Sequence, residues 1–125
     1  MNRERALKVV LVLVGLLFLG GIYPVSMVLY HANRSEATEA MMFSIYFALG
    51  IFLLLAVRDP SANCSLIAFA AWSNLAHAAV MLVQAFQYGS ERGGFLAAVA
   101  GFGAIGVVLI ALAPAKRPEQ RVSAA

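Results

Sequence analysis

The stretch Ala70–Phe86, AAWSNLAHAAVMLVQAF, decides how the rest of the chain is read. It is apolar enough to lie in a bilayer, yet it carries Asn74, His77 and Gln84. On a helical wheel of the segment from Ser65 to Tyr88, one face collects Ile67, Ala70, Ala71, Asn74, His77, Ala78, Met81, Gln84, Ala85 and Tyr88. The opposite face collects Leu66, Phe69, Ala76, Val80 and Val83. The first face is small and polar, the second oily. In lipid the small, polar face is the one expected to turn toward other helices, because only there do its polar atoms find partners. His77 then lies about 18 Å along the helix from Ser65, near mid-bilayer.

The surrounding sequence fits that solvent. Of 125 residues, 62% are hydrophobic and only 12% charged, more apolar surface than a soluble domain of this length can hide. Four apolar segments stand out: Ala6–Tyr30, Ala37–Val57, Ser65–Tyr88 and Phe95–Ala113. Each is near or above the ~20 residues needed to cross the hydrocarbon core. None alternates as barrel strands do, so an all-α polytopic four-helix bundle over residues 1–113 is expected, with a polar tail over 114–125 that reads as disordered. The breaks HANRSE, RDPSAN and GSERGG carry turn chemistry. In the second, Asp59 reads as an N-cap and Pro60 as the first-turn proline of span three, with Arg58 favoured at the end of span two. Pro24 is expected to kink span one, since the carbonyl four residues earlier loses its donor. The basic, apolar N-terminus is signal-like, but Tyr30 occupies the position where a cleavage site wants a small residue, so an uncleaved helix is expected.

Basic residues set the expected orientation. Arg3, Arg5, Lys8, Arg58, Lys116, Arg117 and Arg121 fall on one side of the four spans; Arg34 and Arg92 fall on the other. The positive-inside rule places both termini in the cytoplasm. No nucleic-acid-reading motif is present, and the single cysteine, Cys64, excludes an intramolecular disulfide and any CxxC pattern. Cys64 reads as a small unmodified residue in preference to a palmitoylation site.

The short turn between spans two and three suggests a tight hairpin whose facing residues have numbers adding to about 123. That rule sets Tyr46 level with His77, Leu49 with Asn74, Met42 with Met81 and Glu39 with Gln84. Gly50 is expected to let these two backbones approach. The resulting polar seam of Glu39, Tyr46, Asn74, His77, Met81 and Gln84 is the candidate binding region, because an unpaired polar group in hydrocarbon costs several kcal/mol. Span four carries Gly93, Ala97 and Gly101 at four-residue spacing, and Ala100 with Ala104 likewise. Packing inside the bundle is the expected use of that pattern, ahead of a homodimer seam.

Function is weighed against this frame. A mid-membrane histidine is a functional candidate by default, but hydrogen bonding between helices is the commoner role. Haem needs axial ligands at one depth; His31, the other histidine, lies about 15 Å away in depth, and Met81 shares a helix with His77. His31 with Glu36 and Glu39 reads as a solvated surface cluster and not as a metal site. No cofactor or metal is therefore expected. No Ser/His/Asp arrangement, paired carboxylates or phosphate loop appears, so no enzyme is expected. Four helices in so short a chain resemble the small multidrug resistance exporters, but span one has no Asp or Glu to match their buried carboxylate.

A second resemblance is more specific. MMFSIYFALGIFLLLAVRDP (41–60) and NCSLIAFAAWSNLAHAAVMLVQAF (63–86) resemble a family of small bacterial integral membrane proteins carried as a domain of unknown function with four predicted helices. The matching pieces are IY-x-x-LG-x-FL, A-x-RDP, SLI-x-F, WS and HA-x-x-M-x-x-Q. They set Tyr46, Gly50, Arg58, Asp59, Pro60, Trp72, Ser73, His77, Met81 and Gln84 at motif positions. The resemblance implies a bacterial cytoplasmic (inner) membrane location and brings no activity with it. The expectation is a structural or interaction subunit in the lipid bilayer, associating with itself or with a larger membrane complex, without nucleic acid. The rival is a small-solute or proton carrier using the His/Tyr/Glu seam.

Overall fold

The computed structural model describes residues 2–32 and 34–114, so the polar tail from residue 115 onward lies outside the described residues. Every regular element among them is helical. In chain order they are α1 (Arg3–Leu19), α2 (Ile22–His31), α3 (Ala37–Ala56), α4 (Cys64–Gln87) and α5 (Arg92–Leu112), with 3₁₀ turns at Arg34–Glu36, Pro60–Asn63 and Gly89–Glu91. Counted with those turns, four helical stretches are long and apolar enough to cross a membrane: Arg3–His31, Arg34–Ala56, Pro60–Gln87 and Gly89–Leu112. The four expected spans are therefore present.

The elements gather into two compact units, residues 1–60 and 61–125, each described here by itself. In the first unit, α1 and α2 both lie along α3. α1 begins at Asn2, whose side-chain oxygen accepts a hydrogen bond from the Arg5 backbone N–H at 2.8 Å, and Glu4 sits in the first turn where the helix dipole favours a carboxylate. Leu7, Leu11, Val14, Gly15 and Phe18 form its buried stripe at helical spacing. The stripe continues through Gly21 to Val25 on α2, both buried.

Span one is interrupted at Gly20–Gly21, at the carbonyl four residues before Pro24. Pro24 has no N–H to offer the Gly20 carbonyl, which accepts instead from Tyr23 N–H at 3.2 Å. Gly21 N–H likewise bonds Phe18 O at 3.0 Å, so the ladder shifts to three-residue spacing one turn ahead of the proline. The Ser26 hydroxyl lies 2.8 Å from Ile22 O and 2.9 Å from Tyr23 O, just beyond the step.

Gly50 opens the approach of α3 to α1: a Cβ there would lie 2.8 Å from Gly15 O and 3.0 Å from Phe18 Cβ. At Gly15 a Cβ would lie 2.8 Å from Leu54 Cγ and 3.1 Å from Gly50 O. The two glycines face each other, and the helices meet backbone to backbone. Lipid tails are as apolar as leucine, so close packing of this kind, and not hydrophobic burial, holds helices together in a bilayer.

In the second unit α4 pairs with α5. Pro60 opens a 3₁₀ turn, and α4 itself starts at Cys64 with no side-chain cap, so the Asp59–Pro60 pair starts the helical stretch but not the α-helix. The Cys64 thiol is buried, 3.0 Å from Ser61 O and 3.9 Å from Pro114 O. At the other end Arg92 Nε donates to Ala85 O at 3.0 Å, closing the last turn of α4 with a cation where the dipole favours one. The glycine that lets α4 and α5 close is Gly106, where a Cβ would lie 2.6 Å from Leu75 Cγ and 2.9 Å from Ala71 O. Within the second unit, the Gly93, Ala97 and Gly101 stripe is not used against α4. Gly93, Gly101 and Gly103 have nothing within 4 Å of a would-be Cβ, and Ala97, Ala100 and Ala104 are exposed.

Candidate functional site

The polar residues singled out above divide between the two units. Tyr46, half-buried on α3, sets its ring edge-on to Phe18 of α1, centroids 4.8 Å apart at 70°. Glu39, in the first turn of α3, is exposed. His77, half-buried on α4, stacks its ring at a tilt on Phe102 of α5, centroids 4.3 Å apart. Tyr46 and His77 thus each have an aromatic neighbour inside their own unit. Arg58 is exposed, Asp59 half-buried and Pro60 buried, at the turn the sequence marked for them.

The α4 face is as the wheel drew it. Ile67, Ala70, Ala71, Asn74, Ala78 and Ala85 are buried; His77, Met81 and Gln84 are half-buried. On the opposite face Phe69, Val80 and Val83 are exposed. Small residues at 70, 71 and 78 let α5 come near, and the alternation of small and polar side chains follows from that need.

Asn74 is the one polar side chain among the fully buried residues, at 0% exposure. Its amide nitrogen donates to Ala70 O one turn back, at 2.6 Å. Its amide oxygen accepts no hydrogen bond from any described residue. An amide oxygen in that condition is a strong acceptor in a low-dielectric setting, and leaving it unmet costs about 1–3 kcal/mol. On the same helix, the neighbouring Ser73 hydroxyl is committed to Ala70 O at 3.2 Å. The arrangement is an apolar helix pair with an amide oxygen buried in it. Among the described residues no group of three or more His, Cys, Asp or Glu side chains is placed to hold a metal.

Several residues that shape the site carry no polar flag in the sequence. Phe18, Phe102 and Leu75 are ordinary apolar residues until the helix pairing is known. Gly15 and Gly106 did carry a signal, as glycines deep in apolar spans, where each costs helix propensity and so wants a packing reason.

A family model described as a family of unknown function, DUF6632, matches residues 2–123. The chain belongs to DUF6632. Membership covers all four spans, and it assigns no reaction to the DUF6632 fold. No curated protein and no solved structure matches this DUF6632 chain.

Proposed function

We propose that this protein is a multi-pass subunit of a bacterial cytoplasmic membrane that acts by lateral helix association and catalyses no reaction. Both termini are cytoplasmic, as the seven-to-two division of basic residues between the two sides favours. The observation that carries the reading is the open face of α5. Lipid-facing helix surfaces are ordinarily oily, whereas Gly93, Ala97, Ala100, Gly101 and Ala104 leave a shallow stripe that α4 does not fill. Only Gly106 and Leu109 of the 21 residues in α5 are buried. Small residues at four-residue spacing let a second helix approach closely, and a second copy of this chain supplies one. The test is native mass and lipid-phase cross-linking of the full chain in mild detergent and in liposomes. Wild type should associate, and Gly101→Leu should weaken association by about tenfold, the effect of roughly 1.4 kcal/mol, with helicity unchanged. A monomeric wild type, or a Gly101→Leu variant that associates normally, rules the reading out.

The Asn74 amide oxygen favours a second reading, a carrier of protons or of a small hydrogen-bonding solute. That reading requires flux in proteoliposomes which is lost in both His77→Ala and Asn74→Leu while folding is kept.

A further inference from the structure

A groove of about 520 Å³ opens between α2 and the first two turns of α3. Val25, Val28 and Leu29 form one wall, Ala40 and Met41 the other, and Arg34 stands at the end where the two helices are connected. The walls run from Ala32 back to Val25 and from Ala37 on to Ser44, eight residues each, or about 10 Å of helix. In a membrane-spanning chain that depth begins at the headgroup level and reaches two thirds of the way through one ~15 Å hydrocarbon leaflet. Leu29 and Met41 are 71% and 63% exposed, so the groove is open along its side to whatever surrounds the helices.

The charges favour one kind of occupant. Arg34 is exposed, and no carboxylate among the described residues lies within ion-pair distance of it. Glu39 lies on the face of α3 opposite the groove and Glu36 does not line it, so Arg34 is the charge the groove presents. The helical stretch starting at Arg34 also points its positive dipole end the same way. Deeper in, the Ser44 hydroxyl is spent on Met41 O at 2.6 Å, leaving a floor with no committed partner for a polar ligand. A long apolar slot topped by a guanidinium matches an amphiphile with an alkyl chain below an oxyanion.

We propose that this groove seats one acyl chain of a membrane glycerophospholipid, with the lipid phosphate held on the Arg34 guanidinium. The inference needs the chain to span a membrane but is independent of association through α5. Its residues all belong to α2, α3 and their connection, so failure of either idea leaves the other standing.

The experiment uses the full chain in nanodiscs doped with a glycerophospholipid bearing a photoactivatable diazirine in mid-chain, followed by peptide mapping. Adducts should concentrate between residues 25 and 44. Arg34→Gln should lower their yield about tenfold, the loss expected from one charge-assisted contact. Ala37→Leu, at an exposed wall position, should fill the slot and lower it comparably. Wild-type helicity and melting in both variants confirm that folding is not the cause, and Arg34→Lys should retain an intermediate yield because the charge survives without the planar fork. Adducts spread evenly over all four spans, or a yield that neither variant moves, overturn the proposal. So do chain-to-chain adducts over the same residues, which would put a second copy in the slot.

Discussion

The two units solve the same problem differently. In the first, glycines face each other across the crossing, Gly15 against Gly50, and the backbones themselves touch. In the second, a single glycine, Gly106, receives the Leu75 side chain and the Ala71 carbonyl. Spans without lone polar cores can close fully on backbone contact, as α1 and α3 do. The α4–α5 pair instead buries an amide, Asn74, and leaves the other glycines of α5 open. The first unit uses Gly15 and Gly50 within its own helix pair; the second leaves Gly93, Gly101 and Gly103 outside its own. That contrast is why lateral association is assigned to α5.

The contrast can be broken most severely at Gly50. In Gly50→Leu the new side chain meets backbone, which cannot rotate away, so α1 should separate from α3 with a loss of more than the ~1–3 kcal/mol typical of overpacking. Denaturant titration in detergent, with cysteine cross-linking between α1 and α3, measures it. Gly106→Ala should cost less, about 1–2 kcal/mol, because Leu75 can swing aside and only the Ala71 carbonyl is fixed. Equal losses for conservative Ala variants at positions 50 and 106 would erase the distinction drawn here. Arg92→Gln should cost about 1 kcal/mol by removing the charge-assisted bond to Ala85 O, read as earlier amide exchange in the last turn of α4. Asn74→Leu should change thermal stability least, within about 1 kcal/mol and toward greater stability, since a buried amide with an unmet oxygen is exchanged for a side chain of similar size. A large loss there would mean that the oxygen has a partner worth more than packing.

Legibility followed the same division. The span over Ala37–Val57 was drawn to within one residue of α3, because a run that apolar between two turns has few other readings. The face of α4 was likewise legible, since small and polar residues at helical spacing can turn only one way in lipid. Helix partners were not. A wheel shows which side of α3 carries Gly50, but that side can serve either neighbour in the chain, and only the Gly15–Gly50 match, 35 residues apart, decides for α1. Span four is ambiguous for a related reason. Gly93–Ala97–Gly101 and Gly106 are equally good small-residue signals, and what separates them is the reach of Leu75 from the facing helix. The step at Gly20–Gly21 was legible from Pro24, because a proline's effect falls on the carbonyl it fails to meet, that of Gly20.

That step has a consequence for how the chain enters a membrane. α1 has 17 residues and α2 only 10, each below the ~20 that a crossing requires, so insertion must treat the two as one object. Hydropathy is blind to rotation, however. One alanine inserted between Gly20 and Gly21 would leave the number of crossings unchanged while turning α2 by about 100°, carrying Val25 off α3 and dismantling the slot beside it. The phase of the first span is thus encoded at two glycines that no topology reporter would notice.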